Sequence, residues 1–209
     1  MVEVLEVEKM RGGRVRVVLD NGDRYVLLRS ALLDRPLQAG QEVDPAEFSH
    51  WVTLRQYRPA LDRAVALLAA RACSRGEIEQ KLRRAGYCPE AVEMVITKLD
   101  INDLLDDQAF ADQWAASRAS QKYGPRRIAQ ELKMKGVSAE ETQSALDSLS
   151  DEDQLSAAVR LAEKALSRSR TGEDPRKARQ RALGMIVRRG YDWDIARQAV
   201  DRVLGEEEE

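Results

Sequence analysis

The chain has 209 residues, enough for one or two domains with a sizeable core. Charged residues make up 33% and aromatic residues 5%, a balance that favours a helical protein with much solvated surface over a compact β-rich one. With a formal net charge of −2, the chain lacks the overall positive charge that is typical of nucleic-acid-binding proteins.

The sequence also argues against membrane, secreted and zinc-binding classes. No apolar run reaches about 18 residues, and residues 1–10 lack the apolar segment of a signal peptide. Cys73 and Cys88 are the only cysteines. One disulfide bond would not be enough to stabilise a domain of this size, and the separation of the two cysteines matches no zinc-binding motif. We therefore expect a cytoplasmic protein.

Residues 1–29 are predicted to form a small antiparallel β-hairpin or meander. Polar and apolar residues alternate over 14–19, and the Asn21-Gly22 pair that follows favours a two-residue hairpin turn. A sheet this small needs a helix packed on one face to be stable. Ser30 is then predicted to cap a short helix.

Helical patterns begin near residue 44. Asp44 suits the N-cap and Pro45 the first turn of a helix that we expect to reach about Tyr57. Pro59 is predicted to end or kink this helix because proline lacks a backbone N–H. Residues 58–72 are predicted to form a second helix with an apolar stripe.

A helix, a glycine corner and a second helix follow in residues 74–99. Ser74 is a helix N-cap candidate, and Glu77 stands where a capping box places its acid. Gly86 follows the last apolar residue of the first helix, as a left-handed C-terminal cap requires, and Pro89 suits the first turn of the next helix. A pair of helices this short cannot bury its apolar faces alone, which predicts further copies.

Two further copies are present. Gly86, Gly136 and Gly190 lie 50 and 54 residues apart, and apolar residues stand at matching distances on both sides of each glycine. The matching sets are Leu82, Leu132 and Ile186, then Val95, Ala145 and Ala199, then Leu99, Leu149 and Val203. A helical pattern also precedes each pair, so every repeat is predicted to contain three helices.

The predicted fold is mainly α: three tandem three-helix repeats in an elongated curved array, preceded by the small N-terminal antiparallel β-hairpin or meander. If neighbouring helices pack about 8–10 Å apart, the three repeats side by side make a body roughly 60 Å long. The insertion at 167–174 is predicted to be a mobile linker within the third repeat. The predicted boundaries are 1–57 for the N-terminal extension, 58–100, 101–150 and 151–204 for the repeats, and 205–209 for an acidic tail.

No catalytic, metal or cofactor site is predicted. His50 is the only histidine, which excludes imidazole-pair ligands and most nucleophile–base arrangements. Gly12 and Gly13 lack the Lys-Ser/Thr of a phosphate-binding loop. The acids between Asp100 and Asp107 are interpreted as helix caps, with a magnesium-dependent nuclease as the lesser alternative.

Basic residues recur near equivalent corners of the repeats. This recurrence indicates an extended strip for phosphates or an acidic partner, with an ordinary solvated surface as the alternative. The strip consists of Arg83, Arg84, Lys122, Arg126, Arg127, Lys133, Lys135, Arg188 and Arg189. Tyr87, Tyr123 and Tyr191 stand beside the corners and are expected to be partly buried, with base stacking as the alternative. Trp114 is expected in the core.

Three stretches resemble a known family. They are AVALLAARACSRGEIEQKLRRAGY at 64–87, LLDDQAFADQWAASR at 104–118 and YGPRRIAQELKMKGV at 123–137, with a looser match through IVRRGYDWDIARQAV at 186–200. Together they resemble the RecX regulators of the bacterial recombinase RecA. The resemblance implies tandem three-helix repeats without catalytic or cofactor residues. It further implies a regulator, in DNA repair, recombination and the SOS response, that binds RecA filaments on single-stranded DNA and inhibits their ATPase and strand exchange.

A second interpretation remains open at this point. Helix, glycine turn and helix also describes a helix-turn-helix, so the chain can instead be a DNA-binding protein that acts without RecA. In either case we expect a monomer, and we expect single-stranded DNA as a possible second partner.

Overall fold

The computed structural model describes residues 1–167 and 174–206 of the chain. It divides into two compact units, Met1–Leu105 (unit 1) and Asp106–Glu209 (unit 2). Most of the predicted mobile linker and the last three residues of the predicted acidic tail lie outside the described residues.

The N-terminal meander is confirmed and gains a fourth strand. The strands are β1 (Val2–Met10), β2 (Arg14–Leu19), β3 (Arg24–Leu28) and β4 (Glu42–Val43), in the antiparallel order β3-β2-β1-β4. The sequence missed β4 because a strand of two residues contains no measurable alternation.

The predicted two-residue turn between β2 and β3 is wrong. The Leu19 N–H donates to the Asp23 carbonyl at 2.9 Å, which closes a three-residue loop. Gly22 has a left-handed φ of +91°, whereas a type I′ turn needs two such residues. The Asn21 side-chain oxygen accepts the Asp23 N–H at 3.0 Å, so a local Asx-turn supplies the competing conformation.

Four helices complete unit 1: α1 (Ala31–Asp34), α2 (Pro45–Ala70), α3 (Arg75–Arg84) and α4 (Pro89–Ile101). Asp44 and Ser74 cap α2 and α3 as predicted, by accepting the N–H groups of Glu47 and Glu77 at 2.8 and 3.2 Å. Ser30 precedes α1, but its side chain makes no capping hydrogen bond.

Pro59 does not end the helix that contains it. The sequence predicted two helices, but α2 is a single helix of 26 residues with Pro59 inside. Its buried residues recur every four positions on both sides of the proline, at Phe48, Val52, Gln56, Ala60 and Ala64. Packing along this stripe outweighs the loss of one backbone hydrogen bond, which is why tertiary contacts override the local signal.

One core joins the sheet of unit 1 to α2 and the start of α4. Val4, Val17 and Leu19 of the sheet are buried in the same cluster as Phe48 and Val52. The helix that the small sheet requires is therefore α2.

Unit 2 contains six helices among its described residues: α5 (Asp107–Ser120), α6 (Pro125–Met134), α7 (Ala139–Asp147), α8 (Asp151–Leu166), α9 (Pro175–Arg188) and α10 (Trp193–Glu206). The first three share one buried core and the last three another. The mainly α fold with three-helix repeats is thus confirmed, whereas the domain boundaries and the curved array stay predictions.

The three glycine corners that placed the repeats in register are confirmed. Gly86, Gly136 and Gly190 have left-handed φ angles of +90°, +76° and +96°. After each glycine, the next N–H donates to the carbonyl four residues before the glycine, at 3.3, 3.2 and 3.5 Å. This is the hydrogen bond of a Schellman cap, in which glycine meets no Cβ penalty.

Candidate partner-binding surface

The nine basic residues of the predicted strip lie in different units. Arg83 and Arg84 are exposed at the end of α3 in unit 1. The other seven belong to unit 2, where they precede, begin or end α6 or end α9. The structure therefore brings residues of the second and third repeats together within one unit.

The contact that joins them is made by backbone. The turn before α6 and the corner after α9 touch at Gly124 and Gly190, where the Gly124 N–H donates to the Arg189 carbonyl at 2.9 Å. The Arg126 N–H donates to the Gly190 carbonyl at 3.1 Å, and the Arg189 side chain donates to the Gln121 carbonyl at 3.3 Å. The start of α6 is thereby held against the end of α9.

Tyr123 lies at the centre of this contact. Three guanidinium groups stand over its ring, with ring-centroid distances of 4.5 Å for Arg127, 4.8 Å for Arg189 and 5.6 Å for Arg118. Each such contact contributes about 0.5–1 kcal/mol at an exposed site. The ring is half-buried, as predicted, but it holds cations in place instead of only covering a corner.

Trp114 extends the array along α5. The Lys135 ammonium lies 4.1 Å and the Arg118 guanidinium 4.5 Å from its ring centroid, and the Phe110 ring stacks at 6.0 Å. The expectation that Trp114 is a core residue holds only in part, since the ring is half-buried and carries two cations. We name Trp114, Arg118, Tyr123, Arg127, Lys135 and Arg189 the cation–aromatic strip.

Sequence reasoning missed Arg118. It lies in the last turn of α5, away from Gly86, Gly136 and Gly190, so the repeat register gave no signal for it. An arginine four residues after a tryptophan on the same helix face was the available clue.

Acidic residues form ion pairs with only some of the basic residues on this surface of unit 2. The Glu131 carboxylate accepts hydrogen bonds from Arg118 at 2.6 Å and from the Trp114 indole at 3.2 Å, and it pairs with Arg127 at 3.4 Å. Asp192 pairs with Arg126 at the start of α6. Within the described part of the chain, no ion pair involves the exposed Lys133 and Arg188 or the half-buried Lys122.

Lys122 is held in an unusual backbone conformation. Its φ of +61° is left-handed, and the following N–H donates to the Arg118 carbonyl at 3.1 Å, as at the glycine corners. A lysine in this conformation costs about 1–2 kcal/mol relative to an ordinary one, so it fits a site in which the side chain has a role.

The candidate acids and thiols serve structural purposes. Asp106 caps α5 by accepting the Ala109 N–H at 2.8 Å, and Asp100 pairs with Arg75 at 2.7 Å. In residues 1–167 and 174–206, no group of three or more His, Cys, Asp or Glu side chains is arranged to hold a metal ion. Burial raises the pKa of the Cys88 thiol, which keeps it protonated and unreactive at neutral pH.

No helix in the described residues is both long enough and apolar enough to cross a membrane. The surface that stands out in unit 2 is the cation–aromatic strip together with Lys122, Lys133 and Arg188, which form no ion pair among the described residues. Such a surface suits anionic groups and the carboxylates of a protein partner.

Comparison with known proteins identifies the same architecture elsewhere. Models of the first, second and third three-helix domains of RecX match residues 60–99, 106–146 and 151–200. The regulatory protein RecX of Chlorobaculum tepidum is 36% identical over 149 residues, which cover 71% of this chain and 90% of that protein. The RecX protein of Enterococcus faecalis is 28% identical over 211 residues, which cover 100% and 79%.

Solved structures agree. A crystal structure of a regulatory protein RecX aligns with a TM-score of 0.65 at 25% identity, over 96% of this chain and 100% of that one. The structure of RecX from Lactobacillus salivarius aligns with a TM-score of 0.64 at 24% identity, over 70% and 95%.

Proposed function

Because the chain belongs to the RecX family of regulatory proteins, we propose that it binds the RecA recombinase filament on single-stranded DNA and inhibits its ATPase, strand-exchange and filament-assembly activities. In this proposal the protein is a non-enzymatic, cytoplasmic regulator without a cofactor. It acts as a monomer, and single-stranded DNA is a second contact.

The observation that supports this proposal is the cation–aromatic strip. The turn before α6 and the corner after α9 belong to different repeats and meet in unit 2, where they place Arg127 and Arg189 on the same tyrosine ring. Cations fixed in this way lose little side-chain freedom on binding, so they suit acidic recombinase surface or DNA phosphate. Arg83 and Arg84 on the first repeat are proposed to contact the same partner.

The repeat architecture suggests how the protein would inhibit the recombinase ATPase. A protein built from three repeats can contact more than one recombinase subunit of a filament at once. Such contacts act on the relative rotation of neighbouring subunits, and therefore on ATPase sites located between them.

The decisive experiment is steady-state ATP hydrolysis by the cognate RecA on single-stranded DNA, titrated with this protein. We expect inhibition. Inhibition at substoichiometric amounts indicates action on filament ends, whereas inhibition near one protein per recombinase subunit indicates coating of the filament. An unchanged ATPase rate at saturating protein would refute the proposal.

Charge reversal at the start of α6 tests the surface. Arg126→Glu combined with Arg127→Glu removes two exposed cations and places carboxylates beside Asp192 and Glu131. We expect binding to RecA filaments to weaken at least about tenfold, because like charges then face the acidic partner. Fluorescence anisotropy of labelled protein titrated with filaments measures the change.

The matched control is Arg63→Glu combined with Lys98→Glu, which changes the net charge equally at two exposed positions of the first repeat outside the predicted strip. This control should bind like the wild type. Circular dichroism should show native helix content for both double variants. Equal affinity of the Arg126/Arg127 variant and the wild type would move the contact away from α6.

A DNA-binding protein that acts without RecA is the second candidate. The observation that favours it is the pair of exposed cations, Lys133 and Arg188, without ionic partners among the described residues. Binding to bare DNA through phosphates should weaken steeply as salt rises, even with no recombinase present. Tight, salt-sensitive binding of this kind, without any effect on the ATPase, would select this candidate.

A further inference from the structure

A cavity of about 410 Å³ lies in unit 2, next to Tyr123 of the cation–aromatic strip. Its walls come from the C-terminal part of α5, the turn before α6, the start of α8 and the corner after α9. Small-molecule sites typically occupy about 300–1,000 Å³, so the cavity is large enough for a compact ligand.

A buried tyrosine whose hydroxyl has no hydrogen-bond partner among the described residues lines this cavity. Tyr191 lines the cavity and is only 1% exposed, yet its hydroxyl makes no hydrogen bond to any residue that the structure describes. Arg16 Nε is the one side-chain atom in the described chain that is both sealed from solvent and unpartnered. The Tyr191 hydroxyl is therefore not completely sealed, and Tyr191 is a lining residue of this cavity. A buried phenol normally finds a hydrogen-bond partner, which a ligand would supply here.

Two cations flank the same cavity. Lys122, whose backbone is left-handed, and Arg160 of α8 both line it. No ion pair engages either side chain within residues 1–167 and 174–206. A lysine and an arginine together are well suited to a phosphate group, which accepts several charge-assisted hydrogen bonds.

The remaining walls are of two kinds. Ala116, Ala119 and Ala157 are small apolar lining residues, which leave room for a planar ring. Asp153 contributes a carboxylate, an acceptor for hydroxyl or amino groups of a ligand. A molecule with one phosphate, hydroxyl groups and a flat base offers a partner to the cations, to the Asp153 carboxylate and to the apolar residues.

We propose that this cavity binds one nucleotide unit, with its phosphate between Lys122 and Arg160, its base against the alanine side, and a polar atom on the Tyr191 hydroxyl. The unit is either a free mononucleotide or a single nucleotide of a DNA strand. The site lies within one unit of the fold and does not depend on the proposed recombinase contact.

Equilibrium dialysis of the full chain against labelled dAMP tests the proposal. We expect saturable binding at one site per chain, with deoxyadenosine and inorganic phosphate each binding at least tenfold more weakly because each lacks half of the contacts. Lys122→Asn removes the charge with a residue that tolerates the left-handed conformation, and Arg160→Gln removes the second cation. Each variant should weaken dAMP binding about tenfold.

Two further variants separate binding from folding. Tyr191→Phe keeps the ring and removes only the hydroxyl, so it should weaken dAMP binding several-fold with native circular dichroism. Lys164→Gln, one turn along α8 from Arg160 and outside the cavity, should bind dAMP like the wild type. Absence of saturable binding, binding unaffected by the three cavity variants, or inorganic phosphate binding as tightly as dAMP would each overturn the proposal.

Competition identifies the source of the nucleotide. If one unit of a strand enters the cavity, a short thymidine oligonucleotide displaces dAMP from the wild type. If only a free nucleotide fits, the oligonucleotide leaves bound dAMP in place. Both outcomes are independent of the recombinase ATPase assay, so failure of one proposal does not imply failure of the other.

Discussion

Gly124→Ala is expected to lower the free energy of unfolding by about 3 kcal/mol, although Gly124 has an ordinary negative φ of −82°. An alanine Cβ there would lie 2.4 Å from the Gly190 carbonyl carbon and 2.4 Å from the Tyr191 nitrogen. Both are backbone atoms, which cannot rotate away. The corner after α9 must therefore separate from the turn before α6, and the two backbone hydrogen bonds between them are lost.

Two other glycines give matched controls for this result. Gly22→Ala meets nothing within 4 Å but has a φ of +91°, so it should lower stability only by the left-handed penalty of about 1–2 kcal/mol. Gly190→Ala combines that penalty with a Cβ only 2.6 Å from the Arg127 nitrogen, and it should be the most destabilising of the three. Chemical denaturation followed by circular dichroism measures all three. A stability for Gly124→Ala within about 0.5 kcal/mol of the wild type would contradict the contact.

Gly124→Ala should also affect the candidate partner-binding surface. Opening the contact removes Arg189 from the Tyr123 ring, so the cation–aromatic strip loses one of its fixed cations. Under conditions where Gly124→Ala remains folded, we expect filament binding to weaken even though no charge has changed.

Gln56→Leu is the second substitution with a large expected effect. Gln56 is 3% exposed; its Nε2 donates to the Val26 carbonyl at 2.7 Å, and its Oε1 accepts the Cys88 N–H at 2.6 Å. One side chain thus joins the sheet to the start of α4. Leucine fills the same space but leaves two buried backbone groups unpaired, each costing about 1–3 kcal/mol. We expect a net loss of about 3 kcal/mol in denaturant unfolding.

Gln80→Leu on the exposed side of α3 is the surface control and should change stability by less than about 0.5 kcal/mol. Gln56→Glu tests the same two hydrogen bonds through the pH dependence of stability. Its ionised carboxylate still accepts the Cys88 N–H but cannot donate to Val26, so folding favours the protonated form and raises the pKa of the introduced acid. Relative to the wild type at the same pH, its stability should therefore be highest below about pH 4, the ordinary glutamate range, and fall as pH rises above it. A pH-independent Gln56→Glu would show that the bridge to Val26 contributes little.

Local signals in the sequence were sufficient for the parts of the fold that few residues decide. The register of Gly86, Gly136 and Gly190 follows from a cap that closes within six residues, and the Asp44 and Ser74 caps close within four. Alternation over β2 likewise predicts a half-buried strand from its own six residues. Conformations of this kind are favoured before the chain meets any distant partner.

Local signals failed where distant residues supply the decisive energy. Pro59 carries a helix-ending signal, yet the buried stripe of α2 keeps one helix on both sides of it. The two residues of β4 form a strand only because β1 is available to pair with them.

The candidate partner-binding surface also combines features that local sequence signals predict with contacts that depend on distant residues. The sequence by itself determined the three-helix repeats, the glycine corners and the basic residues beside them, since each depends on spacing along the chain. Only the tertiary structure decided that Gly124 touches Gly190, that Arg118, Arg127 and Arg189 share the Tyr123 ring, and that Tyr191 lines a cavity. The physical reason is that the contacts of Gly124 with Gly190 and of Tyr123 with Arg189 join residues 66 positions apart, and their energy is gained only when the repeats pack.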